Sequence, residues 1–220
     1  MAKIEWDKVG ERYLETGVSK GVHYTLDSEN KYTGGVAWNG LTGVTESPSG
    51  ADATDLYADD IKYASLQAAE TFGATIEAYT YPDEFAACDG SVELTDGVMI
   101  GQQDRKTFGM SYVTQIKSDT SANDYKIHLV YGAKASPSDR GYTTINDSPD
   151  AITFSWEITT TPVNVTGHKA TALLTVDSRK ADKTKLADLE AILYGSKTAE
   201  PRLPLPDEVM DLMKTTEVAG

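Results

Sequence analysis

Five segments of the chain alternate between apolar and polar residues with the period of two that is typical of β-strands. The clearest alternation covers residues 152–161, and its apolar positions are Ile152, Phe154, Trp156 and Ile158. The other four segments are 71–81, 106–117, 125–131 and 168–176. One apolar and one polar face on each strand is the signature of half-buried antiparallel sheets. The pattern therefore predicts a mainly β fold, a β-sandwich or barrel-forming sheet.

Helical spacing is well marked at one place only. Over 182–194, Leu186, Leu189 and Leu193 recur at i, i+3 and i+7, and Gly195 provides a C-terminal stop. A weaker helix is predicted over 58–69 from Ile61, Leu66 and several alanines. The fold class is thus a β domain flanked by one α-helix.

The C-terminal part changes character at residues 200–206, where three prolines favour an extended strap. An amphipathic piece follows, and the apolar candidates for docking are Leu203, Leu205, Val209, Leu212 and Met213. Docking on a neighbouring molecule and folding back over the chain's own domain both remain open. The predicted organisation is an N-terminal arm (1–20), a β domain (21–198) and a C-terminal strap (199–220).

Residues 45–60 form the least core-like stretch, with five acidic residues, no basic residue and few large side chains. We expect a long loop here, and loops of this length in compact domains usually carry function. Its candidate contact residues are Ser47, Pro48, Asp52, Asp55, Leu56 and Tyr57.

The composition narrows the function classes. The chain has 220 residues with 34 acidic and 20 basic side chains, a net charge of −14, which disfavours a nucleic-acid-binding protein. The single cysteine, Cys88, rules out an intramolecular disulfide. Neither an apolar run of about 20 residues nor a signal-peptide core is present, so we expect neither a membrane protein nor an exported one.

Candidate catalytic chemistry is sparse. The histidines His23, His128 and His168 lie far apart, without the spacing of a metal-binding pair. Asp52, Asp55, Asp59 and Asp60 do not follow the order of a calcium loop. Neither a nucleophile elbow nor a phosphate-binding glycine motif occurs. We therefore expect no enzyme activity, no metal and no cofactor, and assembly rather than catalysis.

Several longer stretches resemble one family. They are Gly35-Val-Ala-Trp-Asn-Gly-Leu-Thr-Gly-Val-Thr-Glu-Ser-Pro-Ser-Gly50, Leu56-Tyr-Ala-Asp-Asp-Ile-Lys-Tyr63, Phe72-Gly-Ala-Thr-Ile-Glu-Ala-Tyr-Thr-Tyr-Pro-Asp-Glu-Phe85, Cys88-Asp-Gly90, Gly101-Gln-Gln-Asp-Arg-Lys-Thr-Phe-Gly109, His128-Leu-Val-Tyr-Gly-Ala133 and Asn146-Asp-Ser-Pro-Asp-Ala-Ile-Thr-Phe-Ser-Trp-Glu157. Together they resemble the major tail protein, the tail tube subunit, of long flexible-tailed phages of Gram-positive bacteria. The resemblance covers roughly residues 20–180.

The resemblance implies a function in the virion. Subunits of that family form hexameric rings, stack around a tape measure protein, meet distal tail and tail terminator proteins, and conduct genomic DNA without binding it specifically. They are made in the host cytoplasm and function in the virion tail. The long loop and the chain ends commonly bridge subunits and rings.

A strand with one apolar and one polar face suits a barrel whose inside is wet. The lumen-facing candidates are Glu77, Thr153, Ser155, Glu157 and Thr159; the alternative is that they face the outer solvent. The competing functions are a carbohydrate-binding or adhesive β-sandwich on a particle surface, and the tube subunit of a contractile injection or bacteriocin machine. A hydrolase on a β-sandwich would need paired carboxylates or a nucleophile beside a base, and no spacing supports one.

Overall fold

The computed structural model of the protein describes residues 3–120, 123–145, 147 and 150–214. The strands within these ranges are β1 (Tyr13–Leu26), β2 (Tyr32–Trp38), β3 (Leu41–Glu46), β4 (Ser49–Gly50), β5 (Ala53–Ala58), β6 (Ile61–Gln67), β7 (Glu70–Thr71), β8 (Gly73–Ala78), β9 (Val92–Thr95), β10 (Val98–Ile100), β11 (Phe108–Ser118), β12 (Asp124–Ala135), β13 (Phe154–Thr160) and β14 (Leu173–Asp177). The α-helices are α1 (Lys183–Tyr194) and α2 (Pro206–Met213). The predicted fold class, mainly β with a flanking helix, is confirmed, and α2 is a second helix.

One antiparallel sheet organises the molecule, in the order β2-β1-β11-β12-β13-β8-β3. The long strand β12 has two neighbours on its second side, because Lys126–Val130 pair with β14 and Ala133–Ala135 pair with β13. The sheet also curls until β3 approaches β1, and a Cβ placed on Gly21 would lie 3.0 Å from Leu41 Cδ2. The curled sheet thus encloses an interior.

That interior is filled by the inner core, a cluster of buried and largely aromatic side chains. Trp38, Phe85 and Trp156 meet with ring centroids 4.6 to 5.6 Å apart, at inclined angles that favour aromatic contacts. Every second residue of β8 and β13 points here, as the alternation of the sequence predicts: Ala74, Ile76, Ala78, Trp156 and Ile158 are buried. The predicted core faces of these two strands are confirmed.

An outer core lies on the other side of the sheet, between β1, β11, β12 and β14 and the two helices. Leu186, Leu189 and Leu193 of α1 are its helical members, which confirms the predicted helix. Asp182 caps that helix by accepting bonds from the amides of Thr184 and Lys185 at 2.9 and 3.1 Å. Because β11 and β12 carry a core on each face, both are buried over most of their length.

Two local predictions are wrong. Residues 58–69 are not a helix, and 45–60 is not a loop without regular structure, because β5 and β6 form a β-hairpin. Asp59 and Asp60, the two residues at the turn, both have positive φ angles, 49° and 62°. Two consecutive residues of this kind define the tight turn whose twist matches a hairpin. This turn, with Leu-Tyr-Ala before it and Ile-Lys-Tyr after it, is the signal that overrides the weak helical spacing.

Candidate functional site

The half of the sheet formed by β13, β8 and β3 leaves one of its faces exposed and polar. Cross-strand pairing places Ser155 opposite Glu77 and Glu157 opposite Thr75. Glu77, Glu157 and Thr159 are exposed on this face, and Ser155 is half-buried. Thr153 is also exposed, one residue before β13 begins. The structure therefore brings four of the five lumen candidates together on one surface of the sheet.

This polar face contrasts with the other half of the sheet. There, the outward face of β1, β11 and β12 is covered by α1 and α2 and contributes to the outer core. Beneath the polar face lie the inner-core residues of the same strands, including Trp156 and Ile158. One half of the sheet is thus sandwiched between two cores, while the other half separates a core from solvent.

The β5–β6 hairpin projects from the body, and every residue of its two strands except Ala64 is exposed. Its strand pairing aligns apolar side chains on one face: Leu56 lies opposite Ala64, and Ala58 lies opposite Ile61. Ile61 and Leu66 remain 63% and 59% exposed. An isolated two-stranded hairpin is marginal in water, so an apolar face of this kind favours contact with another surface.

The opposite face of the hairpin is polar. Asp55 makes an ion pair with Lys62 at 2.7 Å, and Tyr57 is 70% exposed. Of the other predicted loop residues, Ser47, Pro48 and Asp52 are exposed where the chain runs from β3 into the hairpin. Sequence reasoning found Leu56 but missed Ile61 and Leu66 as members of the same face, because it assigned them to a helix.

Further apolar side chains are exposed on other extensions. The β9–β10 hairpin exposes Val92, Leu94, Val98 and Met99, and the N-terminal segment exposes Ile4, Trp6 and Val9. The chain has an accessible surface of 14678 Å². A compact monomer of 23.8 kDa would expose about 9,900 Å². The chain therefore exposes more surface than a compact globular protein of its size.

The C-terminal docking candidates lie mainly within their own protomer. Leu203 and Val209 are buried in the outer core, and Leu212 and Met213 pack against it. Leu203 also pairs with Tyr32 of β2, through its amide, at 3.1 Å. Leu205 alone is exposed, at 40%. This placement corresponds to the tail folded over its own domain, one of the two arrangements that the sequence left open.

The chemically reactive side chains are placed without a common site. His23 is enclosed by the rings of Trp38, Phe85 and Phe108, and His168 is exposed in a connecting segment. Burial raises the pKa of the Cys88 thiol to about 12, so it is not a nucleophile at neutral pH. Within the described residues, histidine, cysteine and acidic side chains form no group arranged to hold a metal ion.

No model of a known protein family matches the chain, and no curated protein matches it either. In the part of the chain that the structure covers, neither helix has the length and apolar character needed to cross a membrane. The case for a function therefore depends on the surfaces described above.

Proposed function

We propose that this chain is the subunit of a hollow tube, and specifically of the tail tube of a long flexible-tailed phage. In this proposal, hexameric rings of the chain stack around a tape measure protein, and genomic DNA later passes through the lumen. The observation that carries the proposal is the β5–β6 hairpin, whose apolar face consists of the exposed Leu56, Ala58, Ile61 and Leu66 and the half-buried Ala64. In a polymer, every such hairpin can pack against a neighbouring copy of the chain.

The apolar face of the hairpin supplies part of the free energy of assembly. Covering one leucine or isoleucine side chain yields about 1.5–3 kcal/mol when the burial is complete. Leu56, Ile61 and Leu66 are 42%, 63% and 59% exposed, so covering them contributes about half of that amount for each side chain, repeated in every subunit. The exposure of this face in the free protomer is then the ordinary state of an interface before its partner arrives.

The exposed polar face supports the assignment of a lumen. Glu77, Glu157 and Thr159 project from strands whose other faces are packed, as the wall of a water-filled barrel requires. Six copies with a net charge of −14 give −84 per ring. An acidic, hydroxyl-rich wall repels phosphates, so DNA slides along it instead of binding. The sequence stretches that resemble the tail tube family are the support for a phage tube in particular.

Electron microscopy of the purified protein tests the proposal. The wild-type chain, concentrated and incubated with the tail-tip complex and tape measure protein as nucleators, should form hollow tubes or six-fold rings in negative stain. Leu56→Asp combined with Leu66→Asp should abolish the tubes at ten times the concentration that suffices for the wild type. Because both side chains are exposed, the thermal unfolding of the variant protomer should be unchanged.

The control is Ser65→Asp, which places one added negative charge, against two in the double variant, on the opposite face of the hairpin. This variant should still form tubes. A wild-type chain that stays monomeric with the nucleators present would refute the tube proposal. In that case, binding to a glycan array would favour the carbohydrate-binding or adhesive alternative.

A further inference from the structure

A polar network lies at the edge of the inner core, where Tyr112 of β11 forms the boundary. The Tyr112 hydroxyl donates to Glu46 Oε1 at 2.6 Å. The imidazole of His128 stacks on the Tyr112 ring with centroids 4.6 Å apart and planes only 4° from parallel. His128 is buried, and it is surrounded by residues of β1, β3, β11, β12 and β14.

The hydrogen bonds fix where the proton of neutral His128 resides. Thr114 Oγ1 donates to Glu15 Oε1 at 2.6 Å, so the Thr114 oxygen accepts from His128 Nε2 at 2.9 Å. Lys126 Nζ also donates to Glu15, at 2.5 Å. The proton therefore lies on Nε2, and Nδ1 is left with a lone pair. That lone pair faces Glu46 Oε1 at 3.6 Å and the Thr175 hydroxyl at 3.5 Å.

Glu46 has a special position in the chain. It is the last residue of β3, immediately before the chain enters the hairpin root, which we define as residues 47–52 and 68–72. The root contains the short pair β4–β7, in which Ser49 Oγ and Thr71 Oγ1 lie 2.9 Å apart. Whatever holds Glu46 against β12 therefore also sets how firmly the hairpin is held against the body.

We propose that His128 is a pH-sensitive clamp on the hairpin root. When His128 is neutral, its Nδ1 lone pair and the Glu46 carboxylate face each other, and both are hydrogen-bond acceptors. Protonation places a hydrogen on Nδ1, and the contact becomes an ion pair between β12 and the end of β3. Acid thus fastens the root.

The surroundings place this change below the ordinary pKa of a histidine. Burial lowers the pKa of His128 most strongly; the carboxylates of Glu46 and Glu15 oppose that effect, and the ammonium of Lys126 adds to it. The net pKa is below the ordinary value, so His128 is neutral at pH 7. The same lowering means that protonation reduces the global stability of the fold. The clamp therefore appears as a local effect at the root and not as a rise in melting temperature.

Hydrogen exchange measured by mass spectrometry tests the clamp in the protomer, without any need for tubes. The Leu56→Asp, Leu66→Asp variant is used to keep the chain monomeric. After correction for the intrinsic pH effect, amides of the hairpin root should exchange about threefold more slowly at pH 5 than at pH 7.5, the size expected of a partly exposed ion pair. The NMR titration of the His128 imidazole should follow the same midpoint.

Two matched variants separate the clamp from a general charge effect. Glu46→Gln keeps an acceptor for Tyr112 but removes the charge, so it should lower the His128 midpoint and abolish the change in exchange at the root. Glu15→Gln removes a carboxylate at a similar distance, 3.8 Å, on β1. It should also lower the midpoint, yet leave the pH effect on the root in place.

Equal pH effects on the root in the monomeric variant with and without Glu46→Gln would overturn the clamp. So would a wild-type root whose exchange does not change while the His128 resonance titrates. An effect of the clamp on polymerisation, with tubes forming at a lower protein concentration in acid, rests on the proposed function. A clamp seen in the protomer without tubes would therefore count against the function and not against the clamp.

Discussion

His23 is a buried imidazole without a hydrogen-bond partner, and its replacement tests how the inner core responds to acid. The side chain is fully buried, and both ring nitrogens lack a partner among the described residues. Its surroundings are the rings of Trp38, Phe85 and Phe108, with centroids 5.3 to 6.4 Å away. Burial lowers the pKa of His23 to about 4, since nothing nearby compensates the charged form.

The sign and size of the effect follow from proton linkage. In the unfolded chain the histidine pKa is about 6.5, so between pH 6.5 and pH 4 the unfolded state binds more protons than the folded state. Stability is therefore lost as the pH falls through this window. The His23 contribution amounts to about 1 kcal/mol at pH 5.5 and about 2–3 kcal/mol at pH 4.5, relative to pH 7.5.

His23→Leu removes the titrating group and fills most of its volume. Urea denaturation, followed by the fluorescence of the buried Trp38 and Trp156, measures the free energy of unfolding at pH 7.5, 5.5 and 4.5. The loss of stability on acidification should be smaller in His23→Leu than in the wild type by the amounts above. His168→Gln, at an exposed histidine, should behave as the wild type does. Parallel acid losses in wild type and His23→Leu would refute a neutral, buried His23.

Three further substitutions test other parts of the structure. Gly132→Ala should lower the free energy of unfolding, measured by urea denaturation, by about 3 kcal/mol, because φ is +61° and an added Cβ would overlap the Thr161 carbonyl oxygen. The control Gly97→Ala, at φ +77° but in open space, should lower it by about 1 kcal/mol. Asp182→Ala should cost about 1 kcal/mol by removing the α1 cap, whereas Asp182→Asn should not; equal losses would contradict the capping role. Glu157→Lys should leave the protomer folded but slow DNA release from particles built with it. The control Asp188→Lys, on α1, should leave the release rate unchanged. Equal release rates from the two kinds of particle would contradict a lumen position for Glu157.

Much of the sheet was predictable because burial is one-sided where the alternation is regular. In β8 and β13, one face packs on the inner core and the other is wet, so the residue pattern records both faces directly. Helix α1 was predictable for the same reason, since its leucines contact one surface. The bounds of β11 and β12 were less clear, because each lies between two cores and its polar face is largely lost.

The hairpin and the polar network were not predictable by the same reasoning. In β5 and β6 the apolar residues are mostly exposed and are not part of a core. The assumption that apolar periodicity marks a buried face therefore predicted a helix over 58–69. The turn at Asp59 and Asp60 was the usable signal, because aspartate tolerates positive φ better than most residues. Glu46 and His128 are 82 positions apart in the sequence, and the curl of the sheet brings their side chains into contact.

The two faces of β13 impose different evolutionary constraints on neighbouring codons. Trp156 and Ile158 are bounded by the volume of a filled interior, so even a change of one methylene group there alters the packing. Glu157 and Thr159 are exposed on the opposite face, so exchange among acidic and hydroxyl residues there changes no packing in the inner core. Among related sequences, substitutions in β13 should therefore concentrate at every second position. Deletion of a single residue within β13 should be among the most damaging changes, because it moves the residues beyond it to the opposite face of the sheet.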